Sequence, residues 1–217
     1  MQRVLVVNRK GGVGKTTIAD ELLFSFERSG IHTAYIDLDD QNSSIHHDTT
    51  DESDDADVVV IDTPGAFNPA VADWMRSSDI IIIPSNPSAR DIPMLMNALE
   101  TAREVNPAAK VIIAVNRFNK YKASAEFLDA VREIKESGEE VVTLPQSESF
   151  QRAYLNKRSI VEEAPRNAAA LRTLQAVNVI RKAMDMPDDP TDITVIERAL
   201  ERQQELANTR KEQRNGK

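Results

Sequence analysis

The sequence predicts an α/β fold, a mainly parallel twisted sheet covered by helices on both faces. Three observations predict it. Short apolar runs at residues 4–7, 33–38, 58–61, 80–83, 111–115 and 141–144 are continuous rather than alternating, as strands buried on both faces are. Helical periodicity fills most of the intervals between them. The first run leads through a glycine-rich turn directly into a helical stripe, Ile18, Ala19, Leu22, Leu23 and Phe26.

That first turn, Arg9-Lys10-Gly11-Gly12-Val13-Gly14-Lys15-Thr16-Thr17, carries the clearest chemistry in the chain. A triphosphate needs backbone N–H groups aimed at its oxygens, and side chains would block that approach. Gly11, Gly12 and Gly14 keep the loop bare, and the helix beginning at Lys15 adds partial positive charge. Lys15 can reach the β- and γ-phosphates, and Thr16 can set its hydroxyl on Mg²⁺. Val13 and Thr17 complete the candidate nucleotide-binding loop.

The second strand ends in Asp37-Leu38-Asp39-Asp40, at the edge where open α/β sheets bind ligands. Carboxylates there serve a metal or a water, or cap the following turn. Between residues 37 and 62 stand ten acidic residues and no Lys or Arg. Within this stretch residues 42–57 are polar, and a switch loop ordered by γ-phosphate and Mg²⁺ is expected. His46 and His47 lack a metal-ligand spacing, which makes a solvated loop the expectation there.

The third strand ends in Asp62-Thr63-Pro64-Gly65. Asp62 follows an apolar strand downstream of the loop, which fits a carboxylate holding Mg²⁺ directly or through water. Gly65 can bring a bare N–H to the γ-phosphate. Phe67, Trp74 and Met75 read as packing on the next helix. The fourth strand runs into Pro84-Ser85-Asn86-Pro87-Ser88-Ala89-Arg90-Asp91, a proline-stiffened loop in which Arg90 is either a dimer or DNA contact or solvated. Ile92, Leu95, Met96, Leu99 and Ala102 make one helical stripe; Phe127, Leu128, Val131 and Ile134 make another. Gly30 and Gly138 follow helical patterns as C-terminal caps.

Asn116-Arg117-Phe118-Asn119 follows the fifth strand, where the base is read in phosphate-loop proteins. Guanine recognition needs a carboxylate acceptor, which Asn119 does not supply, so ATP is favoured over GTP. Asn116 either contacts adenine or turns the chain. Further on, residues 152–182 hold seven basic residues against Glu162 and Glu163. In the helix from about 166 to 184, Leu174, Val177, Ile180 and Met184 form the core stripe. Arg172 and Lys182 fall off it, and Lys157 and Arg158 lie on an earlier turn. Such cations bind DNA phosphates without reading sequence, or simply solvate a helix face.

Composition limits the alternatives. The 217 residues suit one α/β domain, here 1–186, followed after Pro187-Asp188-Asp189-Pro190 by a C-terminal helix or tail, 187–217. Ile193, Ile196 and Leu200 give that tail a thin apolar stripe, ending in Arg210, Lys211, Arg214 and Lys217; docking or fraying fits it better than a membrane anchor. The apolar runs are too short to span a bilayer, and Met1-Gln2-Arg3 passes straight into the first strand rather than a signal peptide. The chain has no cysteine, so disulfides and thiolate metal sites are excluded, which fits the cytoplasm. A net charge of −8 excludes a protein that is basic throughout and leaves the basic segment as a local patch.

The second lysine before the glycines, Lys10, makes the loop resemble the deviant Walker A box of the ParA/MinD family of ATPases. The resemblance extends from Val4 to about Met184 and includes the aspartate boxes at 37–41 and 58–65. It implies that Lys10 crosses a dimer interface to the partner's nucleotide, that Asp39 directs the attacking water, and that Asp37 supports the Mg²⁺ shell. Asp40 departs from the family pattern, which has proline there. It further implies an ATP-dependent homodimer that binds nonspecific DNA in the nucleoid and moves a plasmid, chromosome or other cargo. A ParB-like partner would stimulate its ATP hydrolysis. The iron–sulfur relatives are excluded by the missing cysteines, and no helix-turn-helix precedes the loop. Two other readings share the loop, a MinD-like regulator cycling on membranes and a metabolic enzyme resembling dethiobiotin synthetase.

Overall fold

The computed structural model describes residues 1–39, 44–46 and 55–215, with side chains through residue 209. Most of the expected switch interval at 42–57, with Asp40 and His47, lies outside the described residues, as do the basic side chains that end the tail.

Each apolar run is a strand: β1 (Gln2–Val6), β2 (Thr33–Asp37), β3 (Val58–Asp62), β4 (Ile80–Ser85), β5 (Lys110–Phe118) and β6 (Glu140–Pro145). They form one sheet in the order β2-β3-β1-β4-β5-β6, with every described pair parallel. The strand order reverses direction at β1. Loops at that switch point open a crevice at the carboxyl ends of the strands, and the glycine-rich loop leaves β1 there.

Alternate residues of each strand face opposite layers. Val4 and Val6 turn toward α1 (Lys15–Arg28) and α7 (Ala168–Ala183), packing with Ile18, Leu22, Phe26, Val177 and Ile180. Leu5 and Val7 turn the other way. They meet Met75 of α2 (Pro69–Ser77), Leu95 and Leu99 of α3 (Ile92–Val105), and Phe127 of α4 (Ala125–Glu136). Each such side chain, removed wholly from water, contributes about 1.5–3 kcal/mol. Trp74 and Phe67 are half-buried against the same layer, as their packing reading expects.

Gly30 ends α1. Its φ of 66° lets Gly30 N–H reach Glu27 O and Ile31 N–H reach Phe26 O, which satisfies carbonyls a straight helix would leave open. Two apolar stripes are narrower than the periodicity predicts. Met96 and Leu128 are 41% and 37% exposed, because each follows a fully buried residue, Leu95 or Phe127, and lies roughly 100° around the helix from it.

A third cluster joins α5 (Ser149–Leu155), α6 (Ile160–Glu163), α7 and α8 (Ile193–Asn215). Ile196 is buried there and Ile193 and Leu200 half-buried, so the first turns of α8 dock on the domain. Residues 201–209 are exposed on all sides. Among the described residues no helix is long and apolar enough to cross a membrane.

The Pro-Asp-Asp-Pro break is an anchor. Asp189 is buried and pairs with Arg28 at 2.7 Å. Arg181, one of the seven basic residues of the surface segment, is fully buried instead. It donates to Pro187 O at 2.7 Å and Ser25 O at 3.1 Å, with its guanidinium over the Phe26 ring. It falls on the Leu174–Val177 stripe at position i+4 from Val177, which is why it turns inward.

Candidate nucleotide site

The glycine-rich loop is tied down at both ends. At its start, buried Asn8 donates from Nδ2 to Pro84 O at 2.6 Å and accepts Lys10 N–H at 3.0 Å, binding the loop to β4. At its end, Asn116 of β5 donates from Nδ2 to Val13 O at 2.9 Å, while its Oδ1 accepts Arg117 N–H at 2.8 Å. Gly14 lies against that amide. A Cβ there would stand 2.0 Å from Asn116 Nδ2, and the φ of 94° already disfavours any side chain. Cβ atoms added at Gly11 or Gly12 would meet nothing within 4 Å, so the middle of the loop is open.

Sheet register assembles the acidic side of the site. β2 and β3 pair with Asp37 beside Asp62, and β1 pairs with β3 so that Val6 also lies beside Asp62. Thr16, in the first turn of α1, donates from Oγ1 to Asp62 Oδ2 at 2.6 Å. Asp62 accepts Thr63 N–H at 3.0 Å and Asp37 accepts Asp39 N–H at 2.9 Å. Burial pushes the Asp62 carboxyl up to about 7, opposed by the Thr16 hydrogen bond and assisted by the nearby Asp37 charge. Lys15 is 7% exposed; its burial lowers its pKa, with Asp62 and Asp39 pulling the other way.

Among the described residues no cluster of three or more His, Cys, Asp or Glu side chains is arranged to hold a metal. A threonine hydroxyl and two carboxylates beside a phosphate loop are a different donor set. Mg²⁺ commonly takes one or two carboxylates and fills its other positions with water and phosphate oxygens. Thr16, Asp62 and Asp37 fit that ion, and a buried carboxylate that resists ionising alone would gain from it.

Lys10 behaves differently from Lys15. It forms an ion pair with Asp91, which is 3% exposed and immediately precedes α3. Gly65 lies over the loop backbone: a Cβ there would stand 3.6 Å from both Arg9 O and Gly11 N. Beside the loop opens a cavity of about 710 Å³, bordered by Thr17, Asn116, Arg117, Pro145 and Ser147 and extending to Arg158. That volume accommodates a nucleoside.

The structure thus brings together Gly11, Gly12, Val13, Gly14, Lys15, Thr16, Thr17, Asp37, Asp39, Asp62, Gly65 and Asn116 around one crevice. Three of the four DNA candidates lie elsewhere, whereas Arg158 borders the cavity beside the loop. Arg172 and Lys182 stand on an exposed ridge of α7 with Gln175 and Val179, while Lys157 and Arg158 follow α5.

Sequence reasoning missed Asp91, Asp20 and Glu21. Glu21 accepts Ser159 Oγ–H at 2.6 Å and Ile160 N–H at 2.8 Å, and burial raises it to about 7. Burial likewise raises Asp20 to about 6, although it accepts Ser44 Oγ–H at 2.6 Å. Helical spacing from Ile18 places Glu21 on the inner side of α1, a signal that was readable. Asp91 offers no local signal.

Solved structures share the architecture. An ATP complex of a Cyanothece McdA variant is 14% identical with a TM-score of 0.70, over 87% of this chain and 98% of that one. MinD of Pyrococcus horikoshii with Mg-ADP is 14% identical, TM-score 0.63, over 84% and 97%. A Borrelia burgdorferi protein assigned to plasmid partition, bound to AMPPNP, is 17% identical, TM-score 0.59, over 83% and 99%. At these identities the likeness establishes the fold alone. Among curated protein sequences there is no match. The sequence itself matches the CobQ/CobB/MinD/ParA nucleotide binding domain over residues 4–160, spanning the loop, the three aspartates and Asn116, and the chain belongs to that family.

Proposed function

We propose that this protein is a ParA-like ATPase that dimerises on ATP, binds DNA without sequence preference, and positions a cargo through partner-stimulated hydrolysis. The observation that carries the reading is the opposite setting of two lysines in one loop. Lys15 is buried toward Asp62 and Asp39, while Lys10 is held on the far side by Asp91. A single-subunit phosphate site uses one of these lysines; on this reading the other serves a neighbouring copy once it leaves Asp91.

Bound Mg-ATP supplies the bond to be cleaved and the cation that offsets its charge. Around it, the loop N–H groups at Gly11 to Thr17 and the Lys15 ammonium would cradle the phosphates, while Thr16 and Asp62 would hold the ion, supported by Asp37. Asp39, fixed by its N–H to Asp37, orients the attacking water. Lys10 leaves Asp91 and reaches the partner's phosphates. Asn116 fixes the loop while bordering the cavity that receives the adenine. Lys157, Arg158, Arg172 and Lys182 meet DNA phosphates in the dimer, so that hydrolysis releases the protein from DNA. A ParB-like or adaptor protein triggers that release, and the complex resides on the nucleoid. Complexes of fold relatives with ATP, AMPPNP and Mg-ADP support the choice of nucleotide and ion.

Retention of plasmid DNA, measured with a non-hydrolysable ATP analogue or ADP across a salt series, tests the reading. Binding is expected with the analogue alone, weakening as salt rises. DNA binding indifferent to nucleotide, or surviving neutralisation of all four cations, contradicts it. Nucleotide-dependent binding to anionic vesicles in place of DNA would favour the membrane-cycling alternative.

A further inference from the structure

Arg9 occupies the position where the general phosphate-loop pattern has glycine. Its guanidinium lies 4.9 Å from the centroid of the Phe67 ring, in the segment that joins Asp62 to α2. Phe67 is half-buried against the core layer under α2 and α3. Both ends of this segment are fixed. Thr63 Oγ1 donates to Val6 O at 2.9 Å, and Asn68 caps α2 by accepting Val71 N–H at 2.9 Å. Between the ends, Gly65 lies close to the loop backbone: a Cβ added there would stand 3.7 Å from Gly11 Cα and 3.6 Å from Arg9 O. The Arg9–Phe67 stack therefore ties the middle of the segment to the phosphate loop.

The geometry points to Arg9 as a positioning residue: acting through Phe67, it holds Gly65 against the loop so that the Gly65 N–H is in place for the terminal phosphate of a nucleoside triphosphate. This rests on the reading of the loop as an ATP site. A cation that merely attracted phosphate would act directly, and the ring would be irrelevant to it. A stack needs the ring.

Calorimetric titration of the full chain with ADP and with a non-hydrolysable ATP analogue, both with Mg²⁺, separates these roles. The single tryptophan, Trp74 on α2, gives a second readout through its emission. Arg9→Gln and Phe67→Leu are each expected to weaken the analogue about two- to fivefold while leaving ADP unchanged, the range of an exposed cation–π contact. Both are expected to reduce the Trp74 emission change on analogue binding. The double variant is expected to be no worse than either single one, and Phe67→Tyr to match the parent. If Phe67→Leu is silent while Arg9→Gln weakens the analogue, with or without ADP, Arg9 acts as a phosphate cation and the proposal is overturned. Silence of both variants overturns it too. If the parent protein binds neither nucleotide, the ATP-site reading fails first and takes this inference with it.

Discussion

Lys10 of the phosphate loop is paired with Asp91, the buried carboxylate at the threshold of α3. In a single copy this contact occupies the lysine that the proposed dimer requires. Association across the loop must therefore break it, and the pair opposes dimerisation by the free energy it contributes.

Asp91→Asn removes that opposition while keeping the shape of the side chain. Because Lys10 keeps about a third of its side chain exposed, the pair is expected to contribute no more than about 1 kcal/mol. Two such pairs break per dimer, so with a non-hydrolysable ATP analogue the variant should dimerise at about two- to thirtyfold lower protein concentration by analytical ultracentrifugation. Unchanged or weaker self-association would show that Asp91 does not restrain Lys10.

Buried acids give the nucleotide-free protein a distinctive pH response. Glu21 and Asp62 are raised to about 7 and Asp20 to about 6, in each case chiefly by burial. A carboxyl that titrates higher folded than unfolded is ionised first in the unfolded chain. Its unfavourable contribution thus grows as pH rises from the unfolded value toward the folded one. Thermal stability should fall between about pH 5 and pH 8. Glu21→Gln should recover on the order of 3 kcal/mol at pH 8 and little at pH 5, as read by urea titration. A variant equally stabilised, or equally damaged, at both values would refute this assignment.

The anchor at the end of the domain should matter more than any surface pair. Asp189→Ala removes the buried carboxylate that pairs with Arg28 at 2.7 Å and whose charge favours the nearby Arg181 guanidinium. A loss of about 3–5 kcal/mol is expected by urea unfolding. Breaking the exposed Arg76–Asp73 pair by Asp73→Ala should cost less than about 0.5 kcal/mol. Equal effects would mean that the 187–190 break is not held by its charges.

These contrasts mark what the sequence could and could not disclose. Strands were legible because runs such as residues 80–83 are apolar on both faces. The loop was legible because glycine spacing and Lys15-Thr16 have few other uses. The adjacency of Asp37 and Asp62 follows from strand register, which no local pattern states, though both lie at strand ends. Arg181 was hidden by its charge: a basic residue beside Lys182 reads as solvated until Phe26, Ser25 and Pro187 are seen to enclose it. Asp91 was hidden by distance, since its partner Lys10 belongs to another strand's loop. Met96 and Leu128 were misjudged because hydrophobic periodicity defines a helix face only to within one residue's rotation.

In the proposed dimer, two copies close over two nucleotides, each contributing Lys10 to the other. Analytical ultracentrifugation of the protein saturated with Mg²⁺ and a non-hydrolysable ATP analogue tests it most directly, with Lys10→Ala alongside. The parent protein is expected to form a species of twice the protomer mass and Lys10→Ala to remain a monomer, with ADP giving monomers in both. A parent protein that stays monomeric at saturation, or a Lys10→Ala variant that dimerises as the parent does, would contradict that arrangement.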